Sequence, residues 1–185
     1  SQLIAKTGYS RIGGFEIYLS RPELGKHLWE TIVEAGQSEN IRPGSPNIID
    51  RVEAGLLSYG NEMTVENTPL ECNMDKFVDI NKEVDYIGKK VLLRQIKYGV
   101  KRRIRGAIYE GPELPTISTP LQVFDTDKRT IVGSLTSGAF SPHFKSNIGL
   151  GMIGYGCWDN NKEIFVKISD QEFRKGLIKD LPLIQ

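Results

Sequence analysis

This chain of 185 residues has 24 Lys and Arg against 23 Asp and Glu, so its charge balance gives no reason to expect a nucleic-acid or membrane partner. Hydrophobic residues at 39% and charged residues at 25% match ordinary globular proteins and argue against a disordered chain. No apolar run approaches the ~20 residues of a membrane-spanning helix, and the N-terminus lacks a secretory signal pattern. We therefore expect a cytoplasmic protein.

The first predicted elements are a strand and a helix. Residues 15–19 alternate between apolar and polar side chains, which predicts a strand with one buried face. The side chains expected to point inward are Phe15, Ile17 and Leu19. Ser20, followed by Pro22, is typical of a helix start, and Gly36 is placed to end that helix after an apolar stripe.

Two further helices and a short strand are predicted before residue 98. Apolar residues at helical spacing predict a helix over about 46–59 and a shorter one over 87–96. Residues 77–80 form a short strand candidate.

From about residue 101 the pattern changes to short alternating runs separated by turn residues, which is typical of an all-β barrel or sandwich. These runs cover residues 104–109, 120–125, 130–135, 148–155, 163–168 and 173–178. We therefore predict an α+β unit over residues 1–98 and a β domain over residues 99–185.

The segment over residues 7–18, Thr-Gly-Tyr-Ser-Arg-Ile-Gly-Gly-Phe-Glu-Ile-Tyr, resembles the T-G-Y-T-G-E-D-G-F-E-I signature of the glycine-cleavage T-protein family. Residues 51–71 and 133–142 resemble two further family patterns, L-R-L-E-A-G-L-x-x-Y-G with T-P-x-E, and G-x-V-T-S-G-x-F-S-P. The resemblance implies a T-protein-like α+β (ferredoxin-like) segment, part of a larger domain, followed by a C-terminal β-barrel. It also implies transfer of a one-carbon group to N5 of tetrahydrofolate.

Three residues of the opening segment are candidates for binding that cofactor. Strand alternation sets Glu16 and Tyr18 on one face, and the glycines before them permit a turn that brings Tyr9 back toward it. A carboxylate can accept the two-donor edge of a pterin while aromatic rings cover its flat face. The resemblance implies that Tyr9 and Glu16 contact the pterin. The alternative is that Glu16 and Tyr18 form the solvated face of an ordinary strand.

The chain departs from the T-protein pattern at a position that bears on the substrate. Where T-proteins have A-R-D before the second pattern, this chain has Pro46, Asn47 and Ile48, and Asn lacks the charged fork of Arg. These residues are closer to dimethylsulfoniopropionate demethylases, a branch of the family that takes a methyl group from sulfur. The alternatives are an aminomethyltransferase of the glycine cleavage system and a non-catalytic folate-binding or regulatory relative.

No catalytic residue is assigned, because the family's catalytic carboxylate comes from an N-terminal portion that nothing here resembles. The chain begins at Ser1 without Met, and we expect a fragment that is inactive alone. Its expected partners are that N-terminal portion and a small-molecule methyl donor.

Several other features carry weaker expectations. Cys72 and Cys157 lie far apart without a metal-binding or redox spacing, so no metal site is predicted. Residues 149–154 spell G-x-G-x-x-G, yet no helix pattern follows, which argues against a dinucleotide site. Residues 133–142 are expected to build turns with a structural role. For Arg51 and Glu53 the sequence leaves open buried polar contacts or ordinary exposed charges.

Overall fold

The structure is a computed structural model that describes residues 2–9, 13–45 and 47–184. It divides into two compact units, Ser1–Asn47 and Ile48–Gln185. No helix among the described residues is long and apolar enough to cross a membrane.

The first unit is a two-stranded antiparallel sheet with one helix. Strands β1 (Gln2–Ala5) and β2 (Glu16–Leu19) pair with Ala5 opposite Glu16. Helix α1 (Gly25–Ala35) follows a 3-10 turn over Pro22–Leu24, and the amide of Gly36 bonds to the Ile32 carbonyl at 2.9 Å. The strand lies where the sequence predicts it, and the helix ends before Gly36 as predicted. Its predicted start at Ser20 is too early, because a 3-10 turn precedes the α-helix, which begins at Gly25.

The predicted burial of the β2 side chains is wrong. Phe15 is 69% exposed, Ile17 is 36% exposed, and Leu19 is only half-buried. None of the described residues of this unit is buried. Two short strands and one helix offer too little apolar surface to enclose a core, so an alternating pattern here marks an apolar face without covering it.

The second unit begins with helix α2 (Ile48–Glu53), which packs on the barrel strands β5 and β6 described below. This helix ends at Glu53 and not near the predicted residue 59, because Gly55 adopts a left-handed backbone conformation, with φ of 66°. Pro46, where the predicted helix begins, lies outside the described residues. The predicted strand over 77–80 is wrong, since a 3-10 turn over Asp75–Phe77 leads into a loop. Helix α3 (Lys89–Tyr98) lies two residues later than predicted.

Six antiparallel strands close into a barrel in the order β3-β6-β5-β4-β7-β8. Their bounds are β3 (Arg102–Tyr109), β4 (Leu121–Phe124), β5 (Ile131–Ser141), β6 (Ser146–Gly154), β7 (Glu163–Lys167) and β8 (Phe173–Lys179). The chain is therefore a mixed α/β segment followed by a six-stranded antiparallel barrel, as predicted. The turns expected over 133–142 are wrong, because these residues continue β5 as far as Ser141.

The barrel core is apolar and closed. Its interior cluster contains side chains from several strands that are fully buried, among them Ala107, Val123, Leu135, Ile164 and Ile178. A second cluster joins Val52 of α2 to Ile148 and Leu150 of β6, which fixes this helix against the outside of the sheet. The last helix ends at Tyr98 and the first barrel strand begins at Arg102, which is close to the predicted domain boundary. The boundary between the two compact units lies elsewhere, after Asn47. The assignment of 1–98 and 99–185 as separate folding units stays a prediction.

Candidate functional site

Glu16 and Tyr18 lie two residues apart on β2, so their side chains share one face of the two-stranded sheet. Across the sheet they pair with Ala5 and Leu3 of β1, which belong to the same face. Tyr18 is 54% exposed, and Glu16 is exposed as well. The structure therefore presents a carboxylate and a phenol side by side on an accessible surface.

The Glu16 carboxylate is held by a neighbour from the same unit. The hydroxyl of Thr7 donates a hydrogen bond to Oε2 of Glu16. Each carboxylate oxygen has two acceptor sites, so both oxygens can still receive another donor. Thr7 thus orients the carboxylate without using up its capacity to accept hydrogen bonds.

The turn between β1 and β2 contains the glycines that the sequence predicts to be necessary there. Gly13 and Gly14 have φ values of 89° and 146°, a region that L side chains rarely adopt. Residues 10–12 of this turn lie outside the described residues. Tyr9 is 48% exposed. That Tyr9, Glu16 and Tyr18 share one cleft stays a prediction.

The second unit holds a buried ion pair between α2 and the loop after it. Arg51 faces Glu62 in a two-pronged contact, with NH1 to Oε2 at 3.2 Å and NH2 to Oε1 at 3.3 Å. Arg51 also donates to the Leu56 carbonyl at 3.0 Å and to the Ser137 hydroxyl of β5 at 2.5 Å. Oε2 of Glu62 also accepts the Ser58 amide at 2.6 Å. Both terminal nitrogens of Arg51 and both carboxylate oxygens of Glu62 therefore have partners, as buried charges require.

A second buried carboxylate, Glu53, attaches α2 to the end of β5. The Ser141 hydroxyl donates to Glu53 Oε1 at 2.5 Å, and its oxygen accepts the Phe144 amide at 3.1 Å. The Glu53 carbonyl accepts the amides of Leu183 and Ile184. Arg51 and Glu53 are thus buried polar contacts, which decides the alternative that the sequence left open.

The stretch Thr68-Pro69-Leu70-Glu71 is held by hydrogen bonds between its first and last residues, and Glu71 also bonds to β3. Thr68 and Glu71 exchange bonds, from the Thr68 amide to Oε2 at 3.0 Å and from the Glu71 amide to the Thr68 hydroxyl at 3.3 Å. This is the reciprocal capping box that Thr and Glu three residues apart can form, a signal present in the sequence that our prediction did not use. Oε1 of Glu71 also accepts from Arg102 Nε at 3.2 Å.

The remaining features singled out in the sequence are the two cysteines and the G-x-G-x-x-G run, and the structure places them in buried or paired positions. Cys72 and Cys157 are buried free thiols, and burial raises the pKa of each. No group of three or more His, Cys, Asp or Glu side chains suited to a metal ion occurs in residues 2–9, 13–45 and 47–184. The G-x-G-x-x-G run lies in β6, where a Cβ on Gly151 would overlap the Ser134 carbonyl of β5. Its glycines permit close strand pairing.

Two family models match this chain. Residues 1–82 match the GCVT N-terminal domain, and residues 102–182 match the glycine cleavage T-protein C-terminal barrel domain. The chain belongs to the glycine cleavage T-protein family, and its closed barrel is the C-terminal domain of that family.

Proteins similar to this chain include transferases of this family. Dimethylsulfoniopropionate demethylase of Ruegeria pomeroyi is 44% identical over 84% of this chain and 42% of its own length. The aminomethyltransferase of Alkaliphilus metalliredigens is 34% identical over 95% of this chain and 47% of its own length. The chain thus spans less than half of each of these two proteins.

A solved structure has the same fold. The aminomethyltransferase T of the Bartonella henselae glycine cleavage system superimposes with a TM-score of 0.82 over 99% of this chain and 50% of that protein, at 22% identity. At that identity the likeness establishes the fold.

Proposed function

We propose that this chain is the C-terminal part of a tetrahydrofolate-dependent methyltransferase, most like a dimethylsulfoniopropionate demethylase. The identity of 44% to such a demethylase, against 34–40% to several aminomethyltransferases, supports methyl transfer from sulfur. The observation that carries the folate part of the proposal is the exposed carboxylate of Glu16, set beside Tyr18 and oriented by Thr7.

The side chains of this face fit a pterin chemically. The 2-amino group and N3–H of a pterin form a two-donor edge, and Glu16 retains acceptor capacity on both oxygens. The exposed rings of Tyr18 and Tyr9 are suited to cover a flat heterocycle. We therefore assign Tyr9, Glu16 and Tyr18 to tetrahydrofolate binding.

The chain's own contribution is to bind and orient. When bound, tetrahydrofolate supplies N5, which takes up the methyl group and releases a proton while the sulfur keeps the electron pair of the broken S–C bond. Glu16 would fix the pterin edge, and the aromatic rings would fix its plane. Alignment of the reacting atoms is worth several orders of magnitude in rate. The catalytic carboxylate is assigned to the family's N-terminal portion.

Aminomethyl transfer is the second candidate, because the family relatives of this chain include several aminomethyltransferases that are 34–40% identical.

The complete polypeptide that contains this chain should form 5-methyltetrahydrofolate from tetrahydrofolate and dimethylsulfoniopropionate. Formation of 5,10-methylenetetrahydrofolate and ammonia from an aminomethylated lipoyl carrier, without methyl transfer from dimethylsulfoniopropionate, would replace the first candidate with the second. Absence of transfer from either donor, in a protein that binds tetrahydrofolate, would indicate a non-catalytic relative.

A further inference from the structure

A groove of about 1170 Å³ lies in the second unit, between α3 and the start of β3. Among the described residues that line it, three carry a positive charge: Arg94, Lys101 and Arg102. One lining residue, Glu71, carries a negative charge. The groove is therefore positively charged, although the charges of the whole chain nearly balance.

The oxygen acceptors of this groove are already engaged by neighbouring residues. Oε1 of Glu71 accepts from Arg102 Nε at 3.2 Å, and Oε2 accepts the Thr68 amide at 3.0 Å. The Thr68 hydroxyl donates to Oε1 of Gln95 at 2.7 Å. Arg102 thus compensates the charge of Glu71, and the side-chain amide of Gln95 is left with its donor group toward a ligand.

The other two cations have no acidic partner. Within the part of the chain that the structure describes, the side chains of Arg94 and Lys101 form no ion pair. Both residues are exposed. The uncompensated groups of the groove are therefore positively charged hydrogen-bond donors, which bind phosphate or carboxylate oxygens.

An exposed aromatic ring stands beside these cations on a fixed base. Tyr155 is 78% exposed, and its amide bonds to the Lys101 carbonyl at 2.9 Å, which places the two residues next to each other. The ring of Tyr155 meets that of Trp158 edge to face, with centroids 5.2 Å apart, and Trp158 packs against the barrel core. A ring held in this way can stack on a flat ligand with little loss of side-chain freedom.

We propose that this groove binds a nucleoside diphosphate, with its phosphates on Arg94 and Lys101 and its base on the ring of Tyr155. Guanidinium and ammonium groups are the usual protein partners of phosphate, and a base stacks on an aromatic side chain through its flat face. A single inorganic phosphate would fill a small part of about 1170 Å³ and would leave the ring of Tyr155 uncovered. This site is separate from the proposed folate residues and does not depend on them.

The test is calorimetric titration of ADP, pyrophosphate and adenosine into the complete polypeptide, with and without saturating tetrahydrofolate. ADP should bind more tightly than either of its parts and equally well in both conditions. Arg94→Gln and Lys101→Gln should each weaken ADP binding at least about tenfold, because a charge-assisted hydrogen bond to phosphate is lost. Lys90→Gln is the matched control, since Lys90 is exposed on the same helix and does not line the groove. It should change the affinity less than about twofold.

The contribution of the ring is measured with two variants of Tyr155. Tyr155→Ala should lower the affinity for ADP to that for pyrophosphate and leave pyrophosphate binding unchanged, whereas Tyr155→Phe keeps the ring and should retain ADP binding. Thermal midpoints equal to that of the wild type will show that the variants are folded.

Four outcomes would overturn the proposal. The first is no binding of ADP, and the second is ADP binding that survives both cation substitutions. The third is equal affinity for ADP and pyrophosphate, which assigns the groove to simple anions. The fourth is competition between ADP and tetrahydrofolate, which places ADP at the folate residues. Methyl transfer without ADP binding would count against this proposal and leave the proposed function standing.

Discussion

Arg51 and Glu62 form a two-pronged ion pair inside the second unit, with their side chains 9% and 0% exposed. Arg51 comes from α2, and its third partner, Ser137, comes from the barrel. The pair therefore links the segment that resembles the family's second pattern to the segment that resembles the third. Such a pair fixes one arrangement of helix and barrel, because each charge is costly to bury without the other.

Glu62→Gln should destabilise the second unit by about 3–5 kcal/mol, since it leaves the Arg51 charge buried and uncompensated. Urea unfolding followed by circular dichroism measures this change. The control is Asp170→Asn at the exposed Lys167–Asp170 pair, where Asp170 is 85% exposed and no shift of the urea midpoint is expected. Equal midpoints for Glu62→Gln and wild type would contradict a structural role for the pair.

Elements with a periodic sequence pattern were predicted well, whereas features that depend on long-range contacts were not. Strands such as β3 and β7 were predicted within two residues, because alternation with period two and flanking turn residues are local signals. The run 133–142 was misassigned, since Gly, Ser and Thr favour turns locally but here meet a close partner strand. The shared face of Glu16 and Tyr18 followed from alternation.

The contacts of Arg51 and Glu53 could not be predicted from the sequence. Arg51 meets Ser137 across 86 residues and Glu53 meets Ser141 across 88, and these pairings depend on how α2 packs against β5. No local pattern encodes that packing. Both serines lie in the run that resembled the family, so the resemblance marked the segment without indicating its partner.

Ser141→Ala should cost about 1–3 kcal/mol, because the buried Glu53 carboxylate loses its hydroxyl donor and the Phe144 amide loses its acceptor. The free energy of unfolding in urea is again the measurement. Ser169→Ala removes a hydroxyl from an exposed turn and serves as the control, with an expected change below about 0.5 kcal/mol. A cost for Ser141→Ala as small as that of the control would mean that Glu53 is satisfied by other donors.

Stability should fall at alkaline pH through Tyr109. Burial raises the pKa of its phenol from 10.0 to about 12, so the folded state holds this proton more tightly than the unfolded state. The contribution is present below the unfolded pKa and is lost as pH rises from about 10 toward about 12. A shift of about two units corresponds to about 2–3 kcal/mol.

The check is unfolding in urea at several pH values for the wild type and Tyr109→Phe. The variant should lose less stability above pH 10, because other titrating groups contribute equally to both proteins. Tyr155→Phe is the control, since Tyr155 is 78% exposed, and it should follow the wild type. Parallel curves for the wild type and Tyr109→Phe would show that Tyr109 ionises alike in both states.

Gly151→Ala should disrupt the pairing of β5 and β6, since the added methyl group would overlap the Ser134 carbonyl, which is backbone and cannot turn away. We expect a loss of about 1–3 kcal/mol or more. Gly154→Ala is the control within the same run, because its Cβ would lie 3.2 Å from the Val132 carbonyl and needs only a small adjustment. Thermal midpoints of the two variants decide the matter. Equal midpoints would mean that this glycine is not required for strand pairing.

Glu16→Ala should weaken tetrahydrofolate binding much more than it weakens folding. Each hydrogen bond from a pterin donor to the carboxylate is worth roughly 1.5–3 kcal/mol, whereas loss of an exposed side chain on a strand typically changes stability by less than about 0.5 kcal/mol. The measurement is titration of tetrahydrofolate into the complete polypeptide, with thermal midpoints recorded for the same samples. Glu34→Ala on α1 is the control, since Glu34 is exposed and should affect neither quantity. An unchanged dissociation constant for Glu16→Ala would remove Glu16 from the site. A large fall in the thermal midpoint with binding intact would instead show that Glu16 and its Thr7 hydrogen bond anchor the sheet.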